Sequence, residues 1–332
     1  MRLEALDYWL RHNAGLGELE LRPLAGDASF RRYLRVHRGE ETFIAVDAPP
    51  DKEDSRPFVR IAQLLRDIGL NAPQVLAADL DQGFMLLSDL GDELYLSALS
   101  DDSVERLYGD ALGALATIQA CGPNANGFPP YDEDLLRREL ELFREWYLGR
   151  HLGLTLSGPQ HAVLDEAFQH LIDSALEQPR VFVHRDYHSR NLMVTRHNPG
   201  ILDFQDAVIG PVTYDLVSLL RDCYVDWPDR RVIDWALGYH ELALHSGVLT
   251  DEDEERFVRW FDWMGVQRHL KASGIFARLS YRDGKHAYLN DIPRTLGYVL
   301  AVCASYPTLR DFHDLLLELL GGDIAVGCPP GD

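Results

Sequence analysis

The sequence predicts an α+β chain with a small N-terminal sheet lobe and a larger, mostly helical C-terminal lobe. Three observations carry this. Alternating, strand-like runs crowd into residues 1–90, and helical periodicity dominates from Asp101 onward. Between those helices one polar stretch, VFVHRDYHSRNLMV at Val181–Val194, interrupts two apolar runs, and ILDFQDA follows at Ile201–Ala207.

In chain order, LEALDYWLRH has the spacing of a short amphipathic helix, and ELELRPL and RRYLRVHR alternate as strands. TFIAVDA is a third strand, and RPFVRIAQLLRDIG has helical spacing that stops at Gly69. QVLAADL and GFMLLSDL form a hairpin around DQG. Helices then cover SVERLYGDALGALATIQA, EDLLRRELELFREWYLG, PQHAVLDEAFQHLIDSALE, YDLVSLLRDCYV and RRVIDWALGYHELALHSG. The lobe boundary is expected in SDLGDELY, Ser88–Tyr95. Residues 1–90 then form the first lobe, with a hinge near 88–92, and residues 91–332 the second. The Gly- and Pro-rich tail GGDIAVGCPPGD is expected to fray.

The chain has 332 residues, and a hydrophobic share of 46% suffices for large cores. No apolar run reaches the roughly 18–20 residues of a membrane span, and the start carries no signal-peptide pattern. Cys121, Cys223, Cys303 and Cys328 are scattered without a CxxC, which speaks against a disulfide framework or zinc site and for a reducing compartment. A net charge of −21 repels nucleic acid and anionic membrane, so neither is an expected partner. The same field would attract a cationic substrate, or serve only to keep the protein dispersed. A soluble, cytoplasmic protein is expected.

His184, Asp186, His188 and Asn191 make HRDYHSRN a case of H-x-D-x-H-x-x-N, and Asp203 follows an apolar run in ILDFQD. This set suits phosphoryl transfer. One carboxylate orients a hydroxyl and takes its proton, while an asparagine and a second aspartate offer the hard oxygens that Mg²⁺ prefers.

The motif resembles the catalytic loop of the aminoglycoside phosphotransferase-like kinases, and GPVTYDLVSLL resembles the G-x-x-x-Y-D-L segment that follows the metal aspartate in that family. The resemblance implies a bilobal protein-kinase-like fold, ATP and Mg²⁺ as cofactors, Asp186 as the base, and Asn191 and Asp203 as metal ligands. By the same resemblance His184 and Asp215 brace the loop; His184 and His188 join Asp186 as catalytic candidates, with orientation of the loop the simpler role for His188. Protein kinases carry related motifs, but Asp203 and Asp215 stand too close for an activation segment and no A-P-E follows. A small-molecule acceptor is therefore favoured over a protein.

Upstream, LAGDASFRRYLRV resembles the family's phosphate-covering turn, with Gly26 at the bend and backbone N–H groups near Ala28 and Ser29 toward phosphate. Adenine would meet backbone groups around Leu87, Ser88, Asp89 and Leu90. One departure stands out. The third strand, where kinases place a phosphate-binding lysine, reads FIAVDAPPDKED, with Asp47 in the lysine's place. Arg31, Arg32 or Lys52 is expected to supply the cation, or Asp47 to pair with Arg56 or Arg60. A catalytically silent regulatory module is the alternative.

The segments DASFRRY, VDAPPDKEDSRPFV, LLSDLGDELYL and WMGVQRHLKASGIFARL, together with the catalytic loop, resemble one bacterial branch of these kinases. That branch phosphorylates N-acetylmuramate and N-acetylglucosamine at the anomeric hydroxyl. The resemblance implies a sugar 1-phosphate product that a nucleotidyltransferase takes up in peptidoglycan recycling. Gln267, Arg268 and Lys271 are candidate acceptor contacts, with Arg268 or Lys271 facing the lactyl carboxylate, and Glu145 is a further candidate. Trp260, Trp263 and Met264 at helical spacing are expected in the core. A kinase for an aminoglycoside or choline-like cation is the other enzyme reading, which the basic run Arg268–Arg282 disfavours.

Overall fold

The computed structural model describes residues 2–24, 31–122 and 127–321. Its contacts divide the chain into two units, one formed by Met1–Ala114 with Arg190–Asp206 and the other by Leu115–Ser189 with Ala207–Asp332. The crossing therefore falls inside a helix rather than at 88–92.

The first unit is built on a five-stranded antiparallel sheet. Its strands β1 (Glu20–Pro23), β2 (Arg32–Arg38), β3 (Glu41–Asp47), β4 (Val75–Asp79) and β5 (Phe84–Ser88) lie in the order β1-β2-β3-β5-β4. Helix α1 (Arg2–His12) covers one face, where Leu6, Trp9 and Leu10 pack on Leu34, Val36, Ala45, Phe84 and Leu86. Side chains alternate along a strand, so Asp47 lies on that face with Ala45, and Arg31 and Tyr33 lie on the other. Helix α2 (Arg56–Asp67) buries Phe58, Ile61, Ala62 and Leu65, an i, i+3, i+4, i+7 stripe. Past its end Gly69 takes φ +84°, the left-handed conformation that glycine adopts most readily.

This unit extends further along the chain than the sequence suggested. Helix α3 (Tyr95–Ala98) and the first part of α4 (Val104–Cys121) belong to it. A small hairpin, Leu192–Met193 with Gly200–Ile201, joins them. Asn198 donates to Tyr95 Oη (2.6 Å) and Asp110 Oδ2 (2.8 Å), and Asn71 bridges to Gly200, so side chains as well as backbone hold the hairpin in place.

The second unit is mostly helical, with α5 (Glu133–Leu142), α6 (Gly158–Leu176), α7 (Tyr214–Leu220), α8 (Asp229–His245), α9 (Glu254–Asp283), α10 (Ile292–Ser305) and α11 (Arg310–Leu320). One short antiparallel pair, β6 (Arg180–Val183) with Val208–Pro211, precedes α7. Ser157 caps α6 in a reciprocal box with Gln160. Helix α9 is buried around most of its circumference, as expected of a central helix, and Trp260, Trp263 and Met264 are core residues. At Gly274 a Cβ would stand 2.4 Å from the Leu142 carbonyl carbon, so only glycine permits this approach of α9 to the end of α5. From there the chain widens into π-type turns over Phe143–His151. YDLVSLLRDCYV is helical only as far as Leu220, and the chain leaves the helix at Arg221.

Candidate active site

The residues of the motif fall in both units, and each half is built by its own unit. In the helical unit, β6 delivers the chain into His184. The buried Asp215 carboxylate, in the first turn of α7, accepts the backbone N–H groups of His184 (2.6 Å) and Arg185 (2.9 Å). His184 Nδ1 in turn accepts the Asp186 N–H at 3.3 Å. Beyond the end of α7, the buried Asp222 accepts both the N–H (2.9 Å) and the hydroxyl (2.5 Å) of Ser189. The loop is thus tied at its start and its end by carboxylates from one helix and its exit. His188 packs edge-on against Tyr224, with ring centroids 5.5 Å apart.

Asp186 of the loop and Asp215 of α7 are driven in opposite directions. Burial would raise the Asp186 carboxyl, but Lys271, His188 and Arg268 outweigh it and hold Asp186 below the usual carboxylate range. Asp215 is pushed up to about 7 by burial and by the charge of Asp186, against the two N–H groups it accepts.

In the sheet unit, Leu202 donates its N–H to the Asn191 carbonyl (2.9 Å), and the Asn191 side chain reaches Asp203 Oδ2 at 3.5 Å. Gln205 Nε2 donates to Asp203 Oδ1 at 2.8 Å. Asp203 takes φ +61°, a left-handed conformation rare outside glycine that persists only where the surroundings impose it. Here the next residue, the buried Phe204, stacks on Phe58 of α2 at 4.9 Å. Among the described residues no group of three or more His, Cys, Asp or Glu is placed to hold a metal. An amide oxygen and a carboxylate are nonetheless the donor chemistry of Mg²⁺, which takes its other ligands from phosphate and water.

Asp47 does not pair with Arg56 or Arg60. It is fully buried on the α1 side and binds Arg2 (2.5 Å) and Arg32, its cross-strand neighbour, while Arg56 pairs with Asp54. The physical reason is strand parity, which turns Asp47 and Arg32 to the same face. Arg31 is 4% exposed on the opposite face, bound to Glu53 at 2.8 Å, with its guanidinium 5.6 Å from the Phe58 ring. Burial raises the Tyr33 phenol, and the fields of Arg31, Asp203 and Glu53 all act on it, so these groups share one neighbourhood. Lys52 is exposed beside Asp51. Gly26, Ala28 and Ser29 lie outside the described residues, as do the tail 322–332 and Cys328.

In the segment expected to meet adenine, Leu87 is buried, and Ser88 exchanges hydrogen bonds with Gln74. Arg35 fixes the next residues, reaching Asp89 Oδ2 at 2.7 Å and the Gly91 carbonyl at 2.9 Å. Nothing in the sequence pattern singled out Arg35.

Of the acceptor candidates, Gln267, Arg268 and Lys271 are buried on α9, whereas Glu145 is exposed and is not part of their cluster. Lys271 Nζ donates to Glu139 (3.1 Å) and Tyr214 Oη (2.8 Å), and Gln267 donates to Glu139 at 3.3 Å. Arg268 meets the Cys223 thiol at 3.7 Å. Glu139 was missed in the sequence, although a carboxylate in register with Leu136, Leu140 and Phe143 on an apolar helix face is a signal in itself.

A strand-rich unit, a helical unit and an H-x-D-x-H-x-x-N loop define a protein-kinase-like phosphotransferase class. A solved ethanolamine kinase from Plasmodium vivax superposes with a TM-score of 0.65 at 13% identity, over 93% of this chain and 89% of that one, a likeness of fold alone. The chain belongs to the phosphotransferase enzyme family, whose model matches residues 20–265. It is 46% identical to an N-acetylmuramate/N-acetylglucosamine kinase of Pseudomonas putida, over 97% of this chain and 98% of the relative. With a protein of the same name from Pseudomonas aeruginosa it shares 49% identity, over 93% and 92% of the two chains. No helix among the described residues is long and apolar enough to cross a membrane.

Proposed function

We propose that this enzyme is an ATP-dependent kinase that phosphorylates the anomeric hydroxyl of N-acetylmuramate and N-acetylglucosamine. The observation that carries the reading is the near-full-length identity to kinases named for these two sugars. Intact Asp186, Asn191 and Asp203 speak against a silent module.

In this reading Asp186 orients the sugar hydroxyl and accepts its proton, for which a carboxyl held in the ionised state is suited. The opposite drift of Asp215 fits a bracing role, since environments that separate two acids separate their tasks. Asn191 and Asp203 would hold Mg²⁺, which supplies charge neutralisation on the phosphates when bound. Arg31, anchored by Glu53, takes the phosphate-binding task of the absent lysine, and Arg32 serves Asp47 instead. The segment at Leu87–Leu90, rigidified through Arg35, would receive adenine.

Arg268 is the candidate for the lactyl carboxylate, because Lys271 and Gln267 already serve Glu139. The product, a sugar 1-phosphate, suits a nucleotidyltransferase as the next enzyme, in the cytoplasm. ADP release measured with both amino sugars, kanamycin and choline tests the reading. Turnover confined to kanamycin or choline, or absent throughout, overturns it.

A further inference from the structure

We propose that Glu139 is a positioning residue for phosphoryl transfer: through Arg185 and Lys271 it sets the backbone at Asp186 and keeps a positive charge beside that carboxylate. This rests on the reading of Asp186 as the base.

Glu139 is buried on α5, and both its oxygens are doubly engaged. Oε1 accepts from Arg185 Nη2 (2.5 Å) and Lys271 Nζ (3.1 Å), and Oε2 accepts from the Tyr131 hydroxyl and Gln267 Nε2 (3.3 Å). Burial raises its carboxyl, yet Lys271 and Arg185 more than offset this, so it stays ionised. The two cations it holds act on Asp186 in different ways.

Arg185 precedes Asp186 and takes φ +78°, which a long side chain adopts only when its surroundings impose it. Its N–H is held by Asp215 and its guanidinium by Glu139, so the residue is gripped at both ends. Lys271 acts by charge. Burial favours its neutral amine, and Glu139 is the first influence that keeps it protonated, ahead of Tyr214, with Arg185 opposing and Asp186 adding. Of the groups that face Asp186, namely Lys271, His188, Arg268, His184 and Asp215, Lys271 does most to keep it ionised. Glu139 thus holds, at 3.1 Å, the cation whose field does most to keep Asp186 ionised.

The experiment compares wild type, Glu139→Gln, Lys271→Met and the double variant. It records kcat, the KM for ATP, the pH profile of kcat/KM for the sugar, and thermal melting. The acid limb of that profile reports the ionisation of the essential base. In both single variants kcat is expected to fall about 10-fold or more with the KM for ATP unchanged, and the acid limb to move to higher pH. The double variant should fall below Lys271→Met only by the part of the Glu139→Gln loss that runs through Arg185, and so by less than the product of the two single losses, because the path through Lys271 is shared.

A folded Glu139→Gln enzyme whose acid limb stays in place or moves to lower pH overturns the proposal, as does a multiplicative double variant. Should Glu139→Gln not fold, an unmoved limb in Lys271→Met overturns it equally. Wild type that turns over neither sugar would instead overturn the proposed function, and the profiles would be taken with whichever acceptor it does phosphorylate.

Discussion

Arg31 and Arg32 are neighbours in the chain and lie on opposite sides of the sheet. Arg31 is buried against Glu53, while Arg32 reaches the buried Asp47 from a half-exposed position. Their functions should separate in the same way. Arg31→Met is expected to raise the KM for ATP about 10-fold or more, the loss of one charge-assisted contact of about 1.5–3 kcal/mol. Arg32→Met should leave ATP kinetics unchanged and lower the melting temperature, because it strips a buried carboxylate of one of its two cations. Asp47→Lys should destabilise the protein rather than restore a kinase lysine, since it sets a third cation between Arg2 and Arg32. ATP kinetics and melting curves of the three variants check this.

For Asp186, replacement by Asn keeps the shape of the loop and removes the proton acceptor. A loss in kcat of about 10²-fold or more is expected, with ATP affinity retained. Near-normal turnover in a folded variant would contradict the role of Asp186.

The left-handed Asp203 and its neighbour Asn191 should govern the metal dependence. Asp203→Ala is expected to abolish the Mg²⁺-dependent part of nucleotide binding, and Asn191→Ala to weaken it. Titrations of Mg²⁺ at fixed ATP read this directly, and unchanged curves in both variants would remove the two residues from the metal site.

Arg268 offers a test of acceptor choice. Arg268→Gln should raise the KM for N-acetylmuramate about 10-fold or more and leave the KM for N-acetylglucosamine, which has no lactyl carboxylate to bind, unchanged, while any loss in kcat through Asp186 should be shared by both sugars. Equal rises in KM on both sugars would mean that Arg268 does not bind the lactyl carboxylate.

Asp215 should leave its mark on stability against pH. Its carboxyl, ordinarily near 3.8 in an unfolded chain, is pushed up to about 7 in the fold. The folded state therefore binds more protons than the unfolded state between these values. The stability Asp215 contributes is complete below about pH 4 and is lost as pH rises through about 7. Melting temperatures taken from pH 4 to 8 should fall more steeply for wild type than for Asp215→Asn.

The strands, helices and the H-x-D-x-H-x-x-N loop were legible in the sequence because local periodicity and motif spacing express themselves over a few residues. The hairpin of β4 and β5, the core position of Trp260, Trp263 and Met264, and the close succession of Asp203 and Asp215 all needed nothing distant. The partner of Asp47 was not legible, because it depends on strand pairing with Arg32 and on a helix that begins at Arg2. Glu139 shows the same limit. Its oxygens gather donors from residues 131, 185, 267 and 271, a convergence that no spacing announces. What the sequence determined by itself was the kind of chemistry and the chain segments able to perform it. Which charges face one another was decided only by the tertiary structure, because electrostatic coupling depends on distance and burial, and both are set by packing between segments remote in the chain.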